Sequence, residues 1–93
     1  MPRPRRFRKI LFNPDITFFK PQGIPMRSLE CIELSLEELE SLRLKCVEGL
    51  DQNTCAANMQ TSQSTFQRIL SSAQKKVAVA LVYGMAIKID KTP

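Results

Sequence analysis

The stretch "NMQTSQSTFQRIL", residues Asn58–Leu70, changes character in its middle. A short alanine-containing segment runs out at Met59, and a second periodic pattern begins just after Ser62. The intervening "QTS" reads as a turn, and Ser62 is placed to cap the next helix by accepting from backbone amides at its start. From Gln63 the chain has no glycine or proline until Gly84. Phe66, Ile69, Leu70, Ala73 and Val77 share one helical face, leaving Gln63, Ser64, Gln67, Arg68 and Ser71 on the other. The preceding helix is short, about Gln52 to Met59, with Asp51 as its cap and Cys55, Ala56 and Met59 turned inward.

Further upstream, "SLEELESLRLKCVEGL" is also helical in period. Ser35 and Glu38 fit the S-x-x-E capping box, which starts this helix at Leu36. Leu36, Leu39, Leu42 and Leu44 to Val47 supply its apolar stripe, and Gly49 suits the left-handed closing position. Glu37, Glu38 and Glu40 lie near the positive helix end. Downstream, Val77 to Val82 are apolar all round, and we expect a helix here rather than the competing strand. Such a helix must be buried on every side, which predicts a homodimer through residues 77–89. After Gly84, "AIKID" alternates and predicts a short terminal strand.

At the other end, Arg3, Arg5, Arg6, Arg8 and Lys9 form a basic arm punctuated by Pro2 and Pro4, expected to be extended and mobile. Ile10–Phe12 and Ile16–Lys20 are candidate short strands around "NPD", and "KPQGIP" is a loop. Phe12, Phe18 and Phe19 are expected in the core rather than as base-stacking groups. The chain thus divides into an arm with an irregular or short-strand segment, 1–27, and a helical unit with a long last helix, 28–93, forming a single domain.

Charge is unevenly placed: +6 over residues 1–27, −5 over 28–58 and +4 over 59–93. Two basic ends around an acidic middle favour a polyanionic partner. With no histidine, there is no imidazole base, no histidine zinc site and no Ser-His or Cys-His pair. No glycine-rich phosphate loop or paired-carboxylate site appears either, so we expect no enzyme and no cofactor. Cys31, Cys46 and Cys55 have no C-x-x-C spacing and read as small buried hydrophobes in a reducing compartment. Met1 is followed by "PRPRRFRK" rather than an apolar signal, and Val77–Ile87 is too short to span a bilayer, which points to the cytoplasm and no membrane partner.

Two short-linked helices of this kind make a helix-turn-helix, whose second helix enters the major groove of double-stranded DNA. Gln63 and Gln67 offer paired donors and acceptors to adenine; Arg68 suits guanine or phosphate, and Ser64 and Thr65 suit either task. Ser62, Lys75 and Lys76 are candidate backbone contacts, and Arg3, Arg5, Arg6, Arg8 and Lys9 can follow the backbone or enter the minor groove. A protein-docking module of the same fold, using Glu37, Glu38, Glu40 and Glu48, is the alternative, with a non-specific nucleic-acid binder beside it. RNA binding fits the charge, but no sheet with exposed aromatics is evident.

The segment from "LSLEELESLRL" to "QKKVAVAL" resembles the helix-turn-helix of region four of bacterial sigma factors. The whole chain, from "MPRPRR" through "FKPQGIP" and "EGL" to "STFQRILSSAQKKVAVAL", resembles a family of small prokaryotic proteins presumed to bind DNA, domain of unknown function one-three-four. The resemblance implies a mainly α, helix-turn-helix protein of the winged-helix-like DNA-binding class. It also implies a transcriptional regulator with RNA polymerase or another transcription protein as a further partner. The chain departs from the pattern where the turn usually begins with glycine (here Gln60) and continues with an aliphatic (here Thr61). The second helix usually carries acids where Asn53 and Thr54 stand. A left-handed Gln60 would cost on the order of 1 kcal/mol.

Overall fold

Ser35 ends one element and opens the next. In a computed structural model, which describes residues 8–91, it is the last residue of strand β2 (Cys31–Ser35) and the N-cap of helix α1 (Leu36–Leu42). The expected capping box is complete. Ser35 Oγ accepts from the Glu38 amide at 3.1 Å, and the Ser35 amide donates to Glu38 Oε1 at 2.9 Å. The helical run continues through a π turn, Arg43–Val47, where the Glu48 amide donates to the Arg43 carbonyl at 2.8 Å. That extra residue rotates the end of the expected apolar stripe: Leu44 is buried, whereas Val47 is 77% exposed. Gly49 follows with φ 72°, as its closing role requires.

Helix α2 (Gln52–Asn58) is capped by Asp51, whose Oδ1 accepts from the Thr54 amide at 2.8 Å. Helix α3 (Gln63–Tyr83) is capped by Ser62, whose Oγ accepts from the Thr65 amide at 3.1 Å. It runs unbroken to Gly84 at φ 67°, so residues 77–82 are helical. Strand β3 (Ala86–Asp90) follows at once, as the alternation of "AIKID" predicts.

The sheet has three strands in the order β1–β3–β2, where β1 is only Phe18–Phe19. β3 pairs antiparallel with β1 and parallel with β2, Ile32 lying opposite Ile87 and Leu34 opposite Ile89. The parallel pair encloses all three helices between its strands, and this ties the N-terminal segment, the helices and the C-terminal strand into one sheet. On the open side of β2, Lys76 Nζ donates to the Glu33 carbonyl at 2.8 Å and to Glu38 Oε1 at 2.9 Å. A cation seated on an edge carbonyl blunts that edge against pairing with another chain. Around α2 the core is Leu44, Cys55, Ala56, Met59, Phe66 and Leu70, so Cys55, Ala56 and Met59 do turn inward.

Several expectations are corrected. Ile10–Phe12 forms no strand, and β1 covers only part of Ile16–Lys20. Phe12, Phe18 and Phe19 are 44%, 48% and 54% exposed rather than core, because a two-residue edge strand buries little. Phe18 instead carries Lys88 Nζ over its ring at 6.0 Å. Cys31 and Cys46 are exposed, and only Cys55 is buried. Among the described residues, no helix is long and apolar enough to cross a membrane.

Candidate nucleic-acid interface

The surface of interest is the beginning of α3 and the turn that leads into it. α2 and α3 are separated by four residues, Met59–Ser62. Gln60 takes φ 55°, the one non-glycine residue with positive φ among those described. Its amide donates to the Ala57 carbonyl and that of Thr61 to Ala56, which closes α2 tightly. Phe66, wholly buried against α2, then fixes the roll of α3 about its axis. With Phe66, Leu70 and Ala73 inward, Gln63, Ser64, Gln67, Arg68 and Ser71 are all exposed.

These side chains differ in how freely they can act. Gln67 Nε2 donates to Ser71 Oγ at 3.1 Å on the exposed surface, a contact water or a base edge can replace. Thr65 is half-buried, and its Oγ1 accepts from Ser62 Oγ at 2.9 Å, so Ser62 and Thr65 are committed to the cap. The main-chain carbonyl of Gln63 accepts from Gln52 Nε2 at 3.4 Å. Helix α3 contains Arg68, Lys75 and Lys76 and no carboxylate anywhere in its length. Lys75 is exposed, whereas Lys76 turns inward to Glu38 and Glu33.

The arm is described from Arg8 onward; Arg3, Arg5 and Arg6 lie outside the described residues. Arg8 is half-buried with its Nε 3.8 Å from Glu37 Oε2, and Lys9 is exposed. The Lys9 amide donates to the Met59 carbonyl at 3.1 Å. The root of the basic arm therefore lies against the end of α2, next to the turn. Here Lys9 is held by a main-chain hydrogen bond, and residues 1–7 of the arm expected to be mobile lie outside the described residues.

Two carboxylates expected at the start of α1 and on an acidic docking face are buried instead. Glu40 is 2% exposed and takes Arg43 bidentately, Nε to Oε1 at 2.8 Å and Nη2 to Oε2 at 2.9 Å. It also accepts from the Leu11 amide at 3.1 Å. Burial pushes the Glu40 carboxyl up, but Arg43 and the Leu11 amide outweigh it, so its pKa lies below the ordinary value. Glu38 is 7% exposed; burial likewise pushes it up, and the Ser35 amide, the Ser72 hydroxyl and Lys76 together bring it below the ordinary value. The i, i+3 spacing of Glu40 and Arg43 signals their pair, but nothing local signals Leu11 or Ser72. An acidic docking face built on Glu37, Glu38, Glu40 and Glu48 thus loses its two central members to the interior. Burial pushes the Cys55 thiol up, which disfavours the reactive thiolate. Among the described residues, no group of three or more His, Cys, Asp or Glu side chains is placed to hold a metal ion.

The family model "Protein of unknown function DUF134" matches residues 1–92. The chain belongs to that family. It is 53% identical over 90 residues to a UPF0251 protein of Moorella thermoacetica, covering 97% of this chain and 60% of the relative. It is 50% identical to a UPF0251 protein of Caldanaerobacter subterraneus subsp. tengcongensis, covering 97% and 76%. A UPF0251 protein of Desulforudis audaxviator is 52% identical, covering 97% and 59%. This DUF134 chain therefore spans between about three fifths and three quarters of the length of these relatives. No solved structure matches it.

Proposed function

We propose that the chain is a sequence-specific double-stranded DNA-binding protein, a transcriptional regulator in which α2, the turn and α3 form a helix-turn-helix. The observation that carries this reading is the exposed polar face at the start of α3. Gln63, Ser64, Gln67 and Arg68 lie together at the positive end of a 21-residue, carboxylate-free helix. Gln63 and Gln67 are one helical turn apart, about 6 Å along the axis. That offset suits base edges two steps apart, each amide being able to pair bidentately with adenine. Lys75 and the arm supply phosphate contacts; Lys76, engaged with Glu38, is left out of this set.

The regulator acts as a homodimer. Residues 77–87 hold no charged side chain, and Leu81, Val82 and Tyr83 at the far end of α3 are 74–76% exposed. This apolar end is where a second copy would bury surface, while the blunted edge of β2 is not.

Selection of the purified protein on a pool of random duplex DNA tests the reading. The expected result is an enriched inverted repeat with half-sites about one helical turn apart. Alanine at Gln63, Gln67 and Arg68 together should abolish the preference while leaving weak, salt-sensitive binding. Retention without any enriched motif would reduce the protein to a backbone binder, and no retention at low salt would overturn DNA binding itself.

A further inference from the structure

Leu11 and Phe12 are held to the body of the protein although their side chains are not. Leu11 is 67% exposed and Phe12 is 44% exposed, so little apolar burial fastens this part of the chain. What fastens it is main-chain hydrogen bonding at alternate residues. The Lys9 amide donates to the Met59 carbonyl at 3.1 Å, and the Leu11 amide donates to Glu40 Oε2 at 3.1 Å. In an extended chain, amides two residues apart point to the same side, so both reach inward together. Glu40 is itself immobilised: it is 2% exposed and gripped by both prongs of Arg43. The next tie is at Pro14, which is buried and whose carbonyl accepts from Lys91 Nζ at 3.1 Å.

We infer that Glu40 is a positioning residue for DNA binding, a latch that holds the Leu11 amide and so sets Lys9, the root of the basic arm, beside the α2–α3 turn. This rests on the DNA reading above and deepens it. The latch touches no DNA. It brings the chain to Met59, three residues before the N-cap of α3, so that the arginines preceding Lys9 start from the same end of the molecule as Gln63 and Gln67. Seven residues of chain reach at most about 25 Å, so where the arm is rooted decides which phosphates it can meet.

Replacing Leu11 separates the latch from side-chain packing. Leu11→Pro deletes the amide donor and leaves the Glu40–Arg43 pair in place, whereas Leu11→Ala keeps the donor. Glu40→Gln, which weakens the acceptor without removing it, is the second variant in case proline disturbs folding. Two readouts are taken on the full chain. The first is the rate of trypsin cleavage after Arg8 and Lys9, which should rise roughly tenfold or more in Leu11→Pro, less in Glu40→Gln and not at all in Leu11→Ala, as loss of a hydrogen bond to a charged group implies. The second is the slope of log affinity against log salt on random-sequence duplex DNA. In Leu11→Pro it should fall by roughly 0.9 for each lost phosphate contact, approaching the slope of a protein lacking residues 1–7.

Cleavage at the wild-type rate in both Leu11→Pro and Glu40→Gln overturns the latch. A wild-type protein that binds DNA, with an unchanged salt slope in Leu11→Pro, overturns the positioning role alone. A wild-type protein that does not bind at low salt overturns the DNA reading and the positioning role with it.

Discussion

The two ends of α3 are buried by opposite means. Near its start, Phe66 and Leu70 are large and pack into an apolar pocket of Leu44, Cys55, Ala56 and Met59. Further along, its fully buried residues are Ala73 and Ala80, and the side chains that reach the neighbouring elements are Ser72 and Lys76. Both are tied to the buried carboxylate of Glu38, which is also the capping-box partner of Ser35. The first end is fixed by shape and exposes a polar face; the second is fixed by charge and exposes an apolar one. The proposed role, with amides offered to a groove at one end and a dry surface to a second copy at the other, fits anchors distributed in this way.

Phe66→Ala gives the largest expected effect, about 3–5 kcal/mol of lost stability by chemical denaturation. The cost is high because the surrounding groups lie on two helices joined by a tight turn and cannot close in. Loss of less than about 1 kcal/mol would mean that the roll of α3 is set elsewhere and that the exposure of Gln63 and Gln67 has another cause.

Glu38→Gln probes the other end, with an expected cost of about 2 kcal/mol at neutral pH from the weakened contacts to Lys76, Ser72 and Ser35. Its pH dependence is the sharper measurement. The folded Glu38 and Glu40 carboxyls lie below their ordinary value of 4.5. Their contribution is therefore fully present above that value and disappears as pH falls through the lower folded values. The wild-type protein should lose stability on acidification below about pH 4.5, and Glu38→Gln should lose less over the same range. Parallel stability curves for the two proteins would show that the Glu38 network contributes nothing specific to the charged state.

The same contrast explains what could be read from the sequence. Near the start of α3 the helix caps are local, Ser62 to Thr65 and Asp51 to Thr54, and the apolar residues fall at helical spacing. The helices, their caps and the exposed set Gln63, Ser64, Gln67 and Arg68 were all readable from that spacing. Elsewhere the anchors join residues far apart in sequence. Glu38 meets Ser72 and Lys76, Glu40 meets Leu11, and β2 pairs in parallel with a strand that starts at Ala86. No period announces such partners, and the brief alternation of Ile32 and Leu34 with Cys31 and Glu33 does not by itself mark β2 as a strand. The burial of Glu38 and Glu40, and the turn of Lys76 toward Glu38, are illegible in the sequence for the same reason. The phenylalanines failed differently: hydrophobicity argues for burial, but two residues of edge strand offer no place to bury them.

The smallest expected effect lies at the turn that leads into α3. Gln60 holds φ 55°, where glycine is the residue that fits without a Cβ penalty. Gln60→Gly removes a strain of about 1 kcal/mol but frees the unfolded chain by a comparable amount. The balance should be a gain of no more than about 0.5 kcal/mol, or roughly 3 °C in melting temperature for a domain of this size. A measurable gain with unchanged DNA selection would show that the departure from glycine costs stability and leaves the turn's geometry intact. A fall in melting temperature would mean that the Gln60 side chain contributes more than its backbone costs. The turn would then depend on that side chain, and Gln60 would itself help to set the angle between α2 and α3.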